Sequence, residues 1–371
     1  MNTKKKILVI AGGGYISGAE KVTLNAIKGF KEHGHEVHCM VSGWNDGDFI
    51  NRLKEMNIAY TAIKLGWYYT SKLIWSLDSL VHYPKAIRDF LKLKKKFKAD
   101  IVYLISFRQI VLLYPFFKSN VFYHVHDPNS HSRQSKFFLA RTNPKVKKYI
   151  AVSEFVKQDL VASGINATKI NIVHNGIELP EKDLGNKIYM PENILRIGII
   201  GQVIPRKGHE DVIEALNKLQ TEINFSLRIF GTGPGEFESE LKKKINLYNL
   251  DEKVNWMGFV ENQKEIYSEL DLLLAPTRNE EPFALVALEA GASAIPSIVT
   301  KSGGFSESII DGETGYMIDK ENPEQLAEKI KLFYKQPHLL KEMGLLARKR
   351  VNEKFNIREM NKKLNDIIEN N

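Results

Sequence analysis

The chain has 371 residues, 43% of them apolar and 26% charged, an ordinary composition for a globular protein and enough length for about two domains. Its one cysteine, Cys39, excludes an intramolecular disulfide and a cysteine-built metal cage, and no run reaches the roughly 18 apolar residues of a membrane span. The formal charge of +9 is uneven: residues 1–180 carry 27 Lys and Arg against 13 Asp and Glu, residues 181–371 carry 26 against 31, so the first half faces an anionic partner or is simply a lysine-rich solvated surface.

The basic start is followed by only five apolar residues, Ile7 to Ala11, too few for a secretory h-region, so a cytoplasmic protein is expected. Residues 6–11 read as a buried parallel strand. Residues 18–33 read as a helix with Val22, Leu24, Ile27 and Phe30 at helical spacing, and 33–42 as a strand. A helix near 47–56, a strand near 58–63, a helix near 79–98 and strands at 100–105, 120–125 and 148–152 follow. This alternation is that of a doubly wound parallel sheet. Residues 179–193, aperiodic with two prolines, read as a linker.

The pattern then restarts. Strands are expected at 195–201, 225–231, 254–256, 270–276, 297–300 and 315–318. Helices are expected at 208–219, 235–248, 262–269, 283–291, 305–310 and 323–335, then at 337–353 and 356–369. The expected fold class is α/β, with domains 1–178 and 194–355. In open sheets of this kind ligands bind beyond the carboxyl ends of the strands, so the chemistry belongs on loops that follow strands.

The stretch 280–290, EEPFALVALEA, places Glu281 before a helix with Pro282 in its first turn, and Glu289 inside an almost wholly apolar run. A buried carboxylate needs a partner. Ligand hydroxyls would supply one, and so would a hidden Lys or Arg, with Glu281 then a helix cap. The amides of Phe283, Ala284 and Leu285 at the helix start favour an anion. Arg206 and Lys207 follow the strand at 195–200 and could offset a diphosphate, or could be an exposed basic loop. Gly231 and Gly233 follow the next strand and suit either a nucleotide loop or a tight turn.

The long ordered run from Glu281 and Glu289 through Pro296 to Gly303, Gly304, Glu307 and Gly315 resembles the donor-site motif of the retaining glycosyltransferases of family 4, with the GT-B fold. The resemblance implies two Rossmann-like domains facing across a cleft, with helix 356–371 returning to the first. By that resemblance Glu289 binds the donor ribose and Glu281 lies at the donor sugar. Phe283, Ala284 and Leu285 supply amides, and Arg206 and Lys207 hold the diphosphate. Ala284 stands where the family commonly has glycine, a potential crowding of the sugar. Gly231 and Gly233 look like the nucleotide-side loop, and 256–262 like the segment lining the base.

In the first half, Ser17-Gly18-Ala19-Glu20 is similar to the family's Gly-Gly-Ala-Glu loop, with Gly18 near donor phosphate and acceptor. Ser17 breaks the dinucleotide fingerprint, against a dehydrogenase. His126 is taken as the histidine within reach of the sugar, with His124 second, and Asp127 as an acceptor-side group. A histidine in such a strand is also a common structural residue. Ser153 reads as an N-cap and Asn175-Gly176 as a turn.

The basic amphipathic stretch 85–98, with Ile87, Phe90, Leu91, Leu93 and Phe97, together with the aromatic stretch 66–75, suits an anionic membrane surface. An ordinary helix packed on the sheet reads the same way. No nucleic-acid module is present. The reading is transfer of a sugar from a UDP- or GDP-linked donor to a glycan or lipid-linked acceptor, without metal or cofactor, at the inner membrane face. A sugar-nucleotide epimerase or hydrolase, and a non-catalytic sugar-nucleotide-binding protein, are the alternatives.

Overall fold

The computed structural model describes residues 4–11, 16–67, 73–128, 133–179 and 188–370. The chain forms two compact units, one of residues 1–176 with 357–371 and one of residues 177–356.

The first unit runs β1 (Lys6–Ile10), α1 (Gly18–Glu32), β2 (Glu36–Ser42), α2 (Asp48–Glu55), β3 (Ala59–Ile63), α3 (Leu73–Phe97), β4 (Ile101–Leu104), α4 (Phe107–Leu113), β5 (Val121–Val125), α5 (Arg133–Thr142), β6 (Val146–Ala151), α6 (Glu154–Ala162) and β7 (Ile170–Ile172). Its sheet is parallel, in the order β3-β2-β1-β4-β5-β6-β7. Every residue of β4 and β5 is buried, as expected of central parallel strands covered on both faces. The strand order reverses beside β1, so the loops after β1 and β4 diverge and leave a crevice at their carboxyl ends.

Helices α4, α5 and α6 and strand β7 go beyond the sequence expectation. Ser153 does cap α6, its Oγ accepting from the Val156 N–H at 3.1 Å. Helix α3 begins six residues earlier than its apolar spacing suggests, because its first turns carry no buried stripe. Leu73, Ile74, Trp75, Leu77, Leu80 and Val81 are all exposed. Over 85–98 the apolar face does the opposite: Phe90, Leu93 and Phe97 are buried in the unit. The apolar side of that stretch is therefore largely core and not a free face, and the helix exposes its apolar side chains mainly in the turns before Pro84.

The second unit runs β8 (Leu195–Ile200), α7 (His209–Leu219), β9 (Phe225–Phe230), α8 (Gly235–Leu247), β10 (Val254–Gly258), α9 (Gln263–Ser268), β11 (Leu272–Ala275), α10 (Leu285–Ala292), β12 (Ser297–Thr300), α11 (Phe305–Ser308), β13 (Gly315–Ile318), α12 (Pro323–Lys335) and α13 (His338–Lys354). Its sheet is again parallel, in the order β10-β9-β8-β11-β12-β13. The order reverses at β8, so the loops after β8 and β11 flank the switch point.

Of the stretch expected as a linker, 180–187 lie outside the described residues. The rest departs from that expectation. Tyr189 packs on the core of the second unit and donates to the Ala294 carbonyl at 2.7 Å, so 188–193 belong to the unit. The final helix, α14 (Ile357–Glu369), lies against α1 in the first unit. Met360, Leu364 and Ile368 are buried there. A Cβ on Gly29 would come within 2.3 Å of the Asn361 side chain, which shows how closely the two helices approach. Lys5 Nζ donates to the Ile368 carbonyl at 2.6 Å and so caps the end of α14.

Candidate functional site

In the second unit three loops at the carboxyl ends of β8, β11 and β12 are pressed together backbone to backbone. The loop after β8 ends in a 3-10 turn, Pro205–Lys207, closed by Gly208 at φ 74°. A Cβ on Gly208 would lie 2.0 Å from the Pro276 carbonyl oxygen. The Arg206 carbonyl accepts from the Arg278 N–H at 2.9 Å and from Thr277 Oγ1 at 3.0 Å. The loop after β12 closes from the other side. Gly303 has φ 44°, and a Cβ there would lie 2.3 Å from the Glu281 carbonyl oxygen. The Gly304 N–H donates to that oxygen at 2.7 Å, and the Glu281 N–H donates to Ser302 Oγ at 3.0 Å.

This clamp sets Lys207 against Glu281, with Nζ 2.9 Å and 3.1 Å from the two carboxylate oxygens. Both side chains are largely shielded, at 22% and 17% exposure. Two groups expected on different parts of a ligand are thus partners here. Arg206 on the same turn is exposed and has no ion pair among the described residues. Behind the turn, Arg278 holds Asp211 through both guanidinium nitrogens at 3.0 Å and 2.6 Å and reaches Glu210 at 3.2 Å. That network ties the loop after β11 to α7.

Helix α10 starts at Leu285, two residues later than expected, and Pro282 precedes it instead of sitting in its first turn. The Leu285 N–H turns back to the Phe283 carbonyl at 3.1 Å. Ala284 is the N-cap residue. It is buried among Ala287, Val299, Phe305 and Ile309, so its methyl is core and the crowding feared from the sequence has no basis. Phe283 is buried with its ring edge-on to Phe355.

Glu289, one turn into α10, is half-buried. Two neutral donors from α9 reach it. The Tyr267 hydroxyl donates to one carboxylate oxygen at 2.8 Å and the Gln263 amide to the other. Tyr267 is buried, which together with the Glu289 charge holds its hydroxyl well above the usual phenol range and keeps it a donor. Gln263 is exposed.

Gly231 and Gly233 have a structural explanation of their own. Cβ atoms there would lie 1.9 Å from the carbonyl oxygens of Gly201 and Val203, so both let the loop after β9 rest on the loop after β8. His209, not singled out in the sequence, is buried at the head of α7 next to Lys207. Neither of its ring nitrogens has a hydrogen-bond partner among the described residues. Burial, and secondarily the Lys207 charge, lower it to about 4. A histidine following Arg-Lys-Gly was the one available signal.

The remaining expected residues lie in the first unit, around a cavity of about 1080 Å³ at the carboxyl ends of its strands. Ser17 and Glu20 at the start of α1 line it, with Trp44 and Asp46 after β2, Trp67 after β3 and Trp75 and Asp78 on α3. Residues 105–109 after β4 and His126 and Asp127 after β5 complete it. Gly18 is the first residue of α1, between Ser17 and Ala19 on the wall; Gly12 and Gly14 lie outside the described residues. Of the two histidines, His126 lines the cavity. His124 is fully buried behind it with its Nδ1 2.5 Å from the Tyr103 hydroxyl. Burial lowers His126 to about 4, and burial, with the neighbouring His126, holds His124 well below its ordinary value.

Among the described residues one cluster has metal-ligand chemistry: His33, His35 and Glu369. The Lys5 N–H points at His35 Nδ1 at 3.3 Å, which leaves the ring proton on Nε2, the atom turned to Glu369. His35 Nε2 is 4.0 Å from that carboxylate, too far for a hydrogen bond, while His33 Nε2 is 2.9 Å from it, so the His33–Glu369 contact ties the end of α14 to the amino end of the sheet.

Two family models match, Glycosyltransferase Family 4 over residues 16–181 and Glycosyl transferases group 1 over residues 185–350. The chain is 29% identical over 220 residues to the N-acetyl-alpha-D-glucosaminyl L-malate synthase of Bacillus anthracis, covering 54% of this chain and 57% of that one. It is 25% identical over 238 residues to the capsular polysaccharide biosynthesis glycosyltransferase CapM of Staphylococcus aureus, covering 59% and 62%. The match thus spans about three fifths of these relatives. Among solved structures, a glycosyltransferase from Rickettsia africae superposes with a TM-score of 0.83 at 22% identity, covering 99% of this chain and 98% of that one. HepE from Anabaena in complex with UDP superposes with a TM-score of 0.82 at 18% identity, covering 99% and 100%.

His126 and His209 are neutral in the folded chain, and each takes a proton more readily unfolded, where the ordinary value is 6.5. Their stabilising contribution is full above pH 6.5 and is lost as pH falls toward 4. A group shifted over that span contributes on the order of 3 kcal/mol. Unfolding free energy from urea titrations is expected to fall over this window, and His209→Asn to reduce the slope by about one proton. An unchanged slope contradicts the buried neutral state.

Proposed function

Because the chain belongs to the glycosyltransferases of the group 1 and family 4 models and has their GT-B fold, we propose that it moves a sugar from a nucleoside diphosphate sugar to an acceptor hydroxyl, with retention of anomeric configuration, in the synthesis of a polysaccharide or glycolipid. The observation that carries this reading is the clamp at the switch point of the second sheet. It sets Arg206, the Lys207–Glu281 pair and the start of α10 together, with Glu289 one turn further on.

Glu289 takes the ribose. Tyr267, buried, keeps one carboxylate oxygen, while exposed Gln263 gives up the other to the ribose hydroxyls at little cost. The diphosphate meets Arg206, which has no competing ion pair among the described residues, and draws Lys207 from Glu281, which is then free to accept from sugar hydroxyls. The anomeric carbon–oxygen bond to the diphosphate breaks as the acceptor oxygen bonds to that carbon from the same face. The acceptor proton passes to the leaving diphosphate oxygen. Fixed cations and amides stabilise the charge developing on that leaving group. HepE, solved with UDP and with UDP-glucose, supports a uridine-linked donor. The cavity of the first unit, with His126 and Asp127 on its wall, serves the acceptor. An epimerase or hydrolase has no need of it.

The acceptor is carried at a membrane surface. No helix among the described residues is long and apolar enough to cross one. The first turns of α3, however, expose Leu73, Ile74, Leu77, Leu80 and Val81, while Trp75 and Asp78 from the same turns line the cavity. The lysines of 85–98 continue that helix. Apolar side chains beside cations suit the boundary of an anionic bilayer, and would bring a lipid-linked glycan to the cavity mouth.

Glu289→Ala is expected to weaken UDP binding, measured by calorimetry, by about tenfold to a hundredfold. Arg206→Ala is expected to lower transfer from a radiolabelled UDP-sugar by about a hundredfold with an unchanged melting temperature. Normal UDP binding and normal turnover in these variants overturn the donor site. Co-sedimentation with vesicles containing phosphatidylglycerol is expected for the full chain, weakened by salt and lost in Leu77→Ser with Leu80→Ser; equal binding by that variant removes the membrane contact.

A further inference from the structure

The lining of the first-unit cavity differs in character from the unit around it. Residues 1–180 carry 27 cations against 13 carboxylates. Among the described residues the cavity wall reverses that balance, with Glu20, Asp46, Asp78 and Asp127 against a single guanidinium, Arg108. It also gathers three of the four tryptophans of the chain, Trp44, Trp67 and Trp75.

These rings are held in place. Lys64 stands over the Trp44 ring at 5.7 Å, with His82 edge-on to it at 5.6 Å. Arg108 stands over the Trp67 ring at 5.9 Å, so the one cation of the wall is already engaged with an aromatic face. The carboxylates are oriented but not used up. Glu20 accepts from the Ser17 N–H at 3.2 Å, Asp46 from the Asp48 N–H at 3.1 Å, and Asp78 pairs with His82 at 3.1 Å. A carboxylate offers about four acceptor positions, so each keeps capacity for a ligand hydroxyl. His126 adds a ring that is 92% buried, with an Nε2 that has no hydrogen-bond partner among the described residues.

Rigid indoles offer flat apolar area to the carbon–hydrogen face of a sugar ring. Carboxylates accept from pairs of sugar hydroxyls. The same carboxylates repel a phosphate or a uronate, and only one cation offsets them. We propose that this cavity holds the terminal sugar of an uncharged glycan acceptor, stacked on Trp67 and Trp44 with its hydroxyls on Asp46 and Asp78, and that it rejects phosphorylated or uronic sugars. The inference rests on the reading of the first unit as the acceptor side. It adds the class of acceptor: basic surface outside, neutral carbohydrate within.

The test is direct binding to the full chain without donor, followed by tryptophan fluorescence and saturation-transfer NMR. The probes are methyl glucoside, methyl galactoside and methyl N-acetylglucosaminide, with methyl glucuronide and glucose 6-phosphate as the anionic counterparts. Stabilisation by UDP is measured on the same preparation. At least one neutral glycoside is expected to bind saturably and at least tenfold tighter than either anionic probe. Trp67→Ala is expected to weaken that binding at least tenfold, Trp67→Phe to retain it, and Asp46→Asn with Asp78→Asn to narrow the gap between neutral and anionic sugars.

The inference is overturned if no neutral glycoside binds, if an anionic probe binds as tightly, or if binding is indifferent to Trp67. If UDP still stabilises the chain in those cases, the transferase reading stands without it. Glycoside binding in a chain that UDP does not stabilise supports the cavity and counts against the transferase reading.

Discussion

The second unit is organised by the backbone contact of three loops, and the Lys207–Glu281 pair is its product. Gly208 lets one loop rest on the Pro276 carbonyl, and Gly303 lets another rest on the Glu281 carbonyl. With both contacts in place, a cation from the end of β8 and a carboxylate from the end of β11 meet at 2.9 Å while Arg206 remains exposed. Side chains on separate loops would otherwise lose much of this alignment to entropy. A site already formed before ligand arrives has less to order on binding.

The two units share an architecture and differ in the side chains that they gather. Each is a parallel sheet whose strand order reverses once, and in each the candidate groups sit on loops at the carboxyl ends beside that reversal. The second unit presents an exposed Arg206 beside the shielded Lys207–Glu281 pair. The first presents indoles, carboxylates and a neutral imidazole around a partly open cavity. Net charge misleads about the latter, since the lysines that make the first half basic lie outside the cavity, many of them along α3.

The alternation of strands and helices was legible because parallel strands buried on both faces are near-continuous apolar runs, as in β4 and β11. Glu281, Glu289, Arg206, Lys207 and the Gly303-Gly304 pair stood out in the sequence as a spaced pattern, and the structure brings Lys207 to Glu281 and gives the Gly303-Gly304 pair its packing reason. Other features left weaker traces. The opening turns of α3 carry exposed apolar residues, so no amphipathic stripe marks them. Gln263 and Tyr267, which complete Glu289, lie 26 and 22 positions away in sequence, a separation that only the fold closes. The tryptophan cavity draws on the ends of β2, β3, β4 and β5, and no local pattern links Trp44, Trp67 and Trp75. His209 shows its burial only once α7 is packed.

The central claim is that the acid inside α10 exists for the ribose of a nucleotide whose diphosphate lies on Arg206 and Lys207. A crystal structure of the chain with UDP tests it most directly. The account predicts ribose hydroxyls within hydrogen-bond distance of Glu289, Gln263 displaced from that carboxylate, and phosphate oxygens on Arg206 and Lys207. Uridine bound elsewhere, with Gln263 and Tyr267 still closing Glu289 and Lys207 still on Glu281, would contradict it.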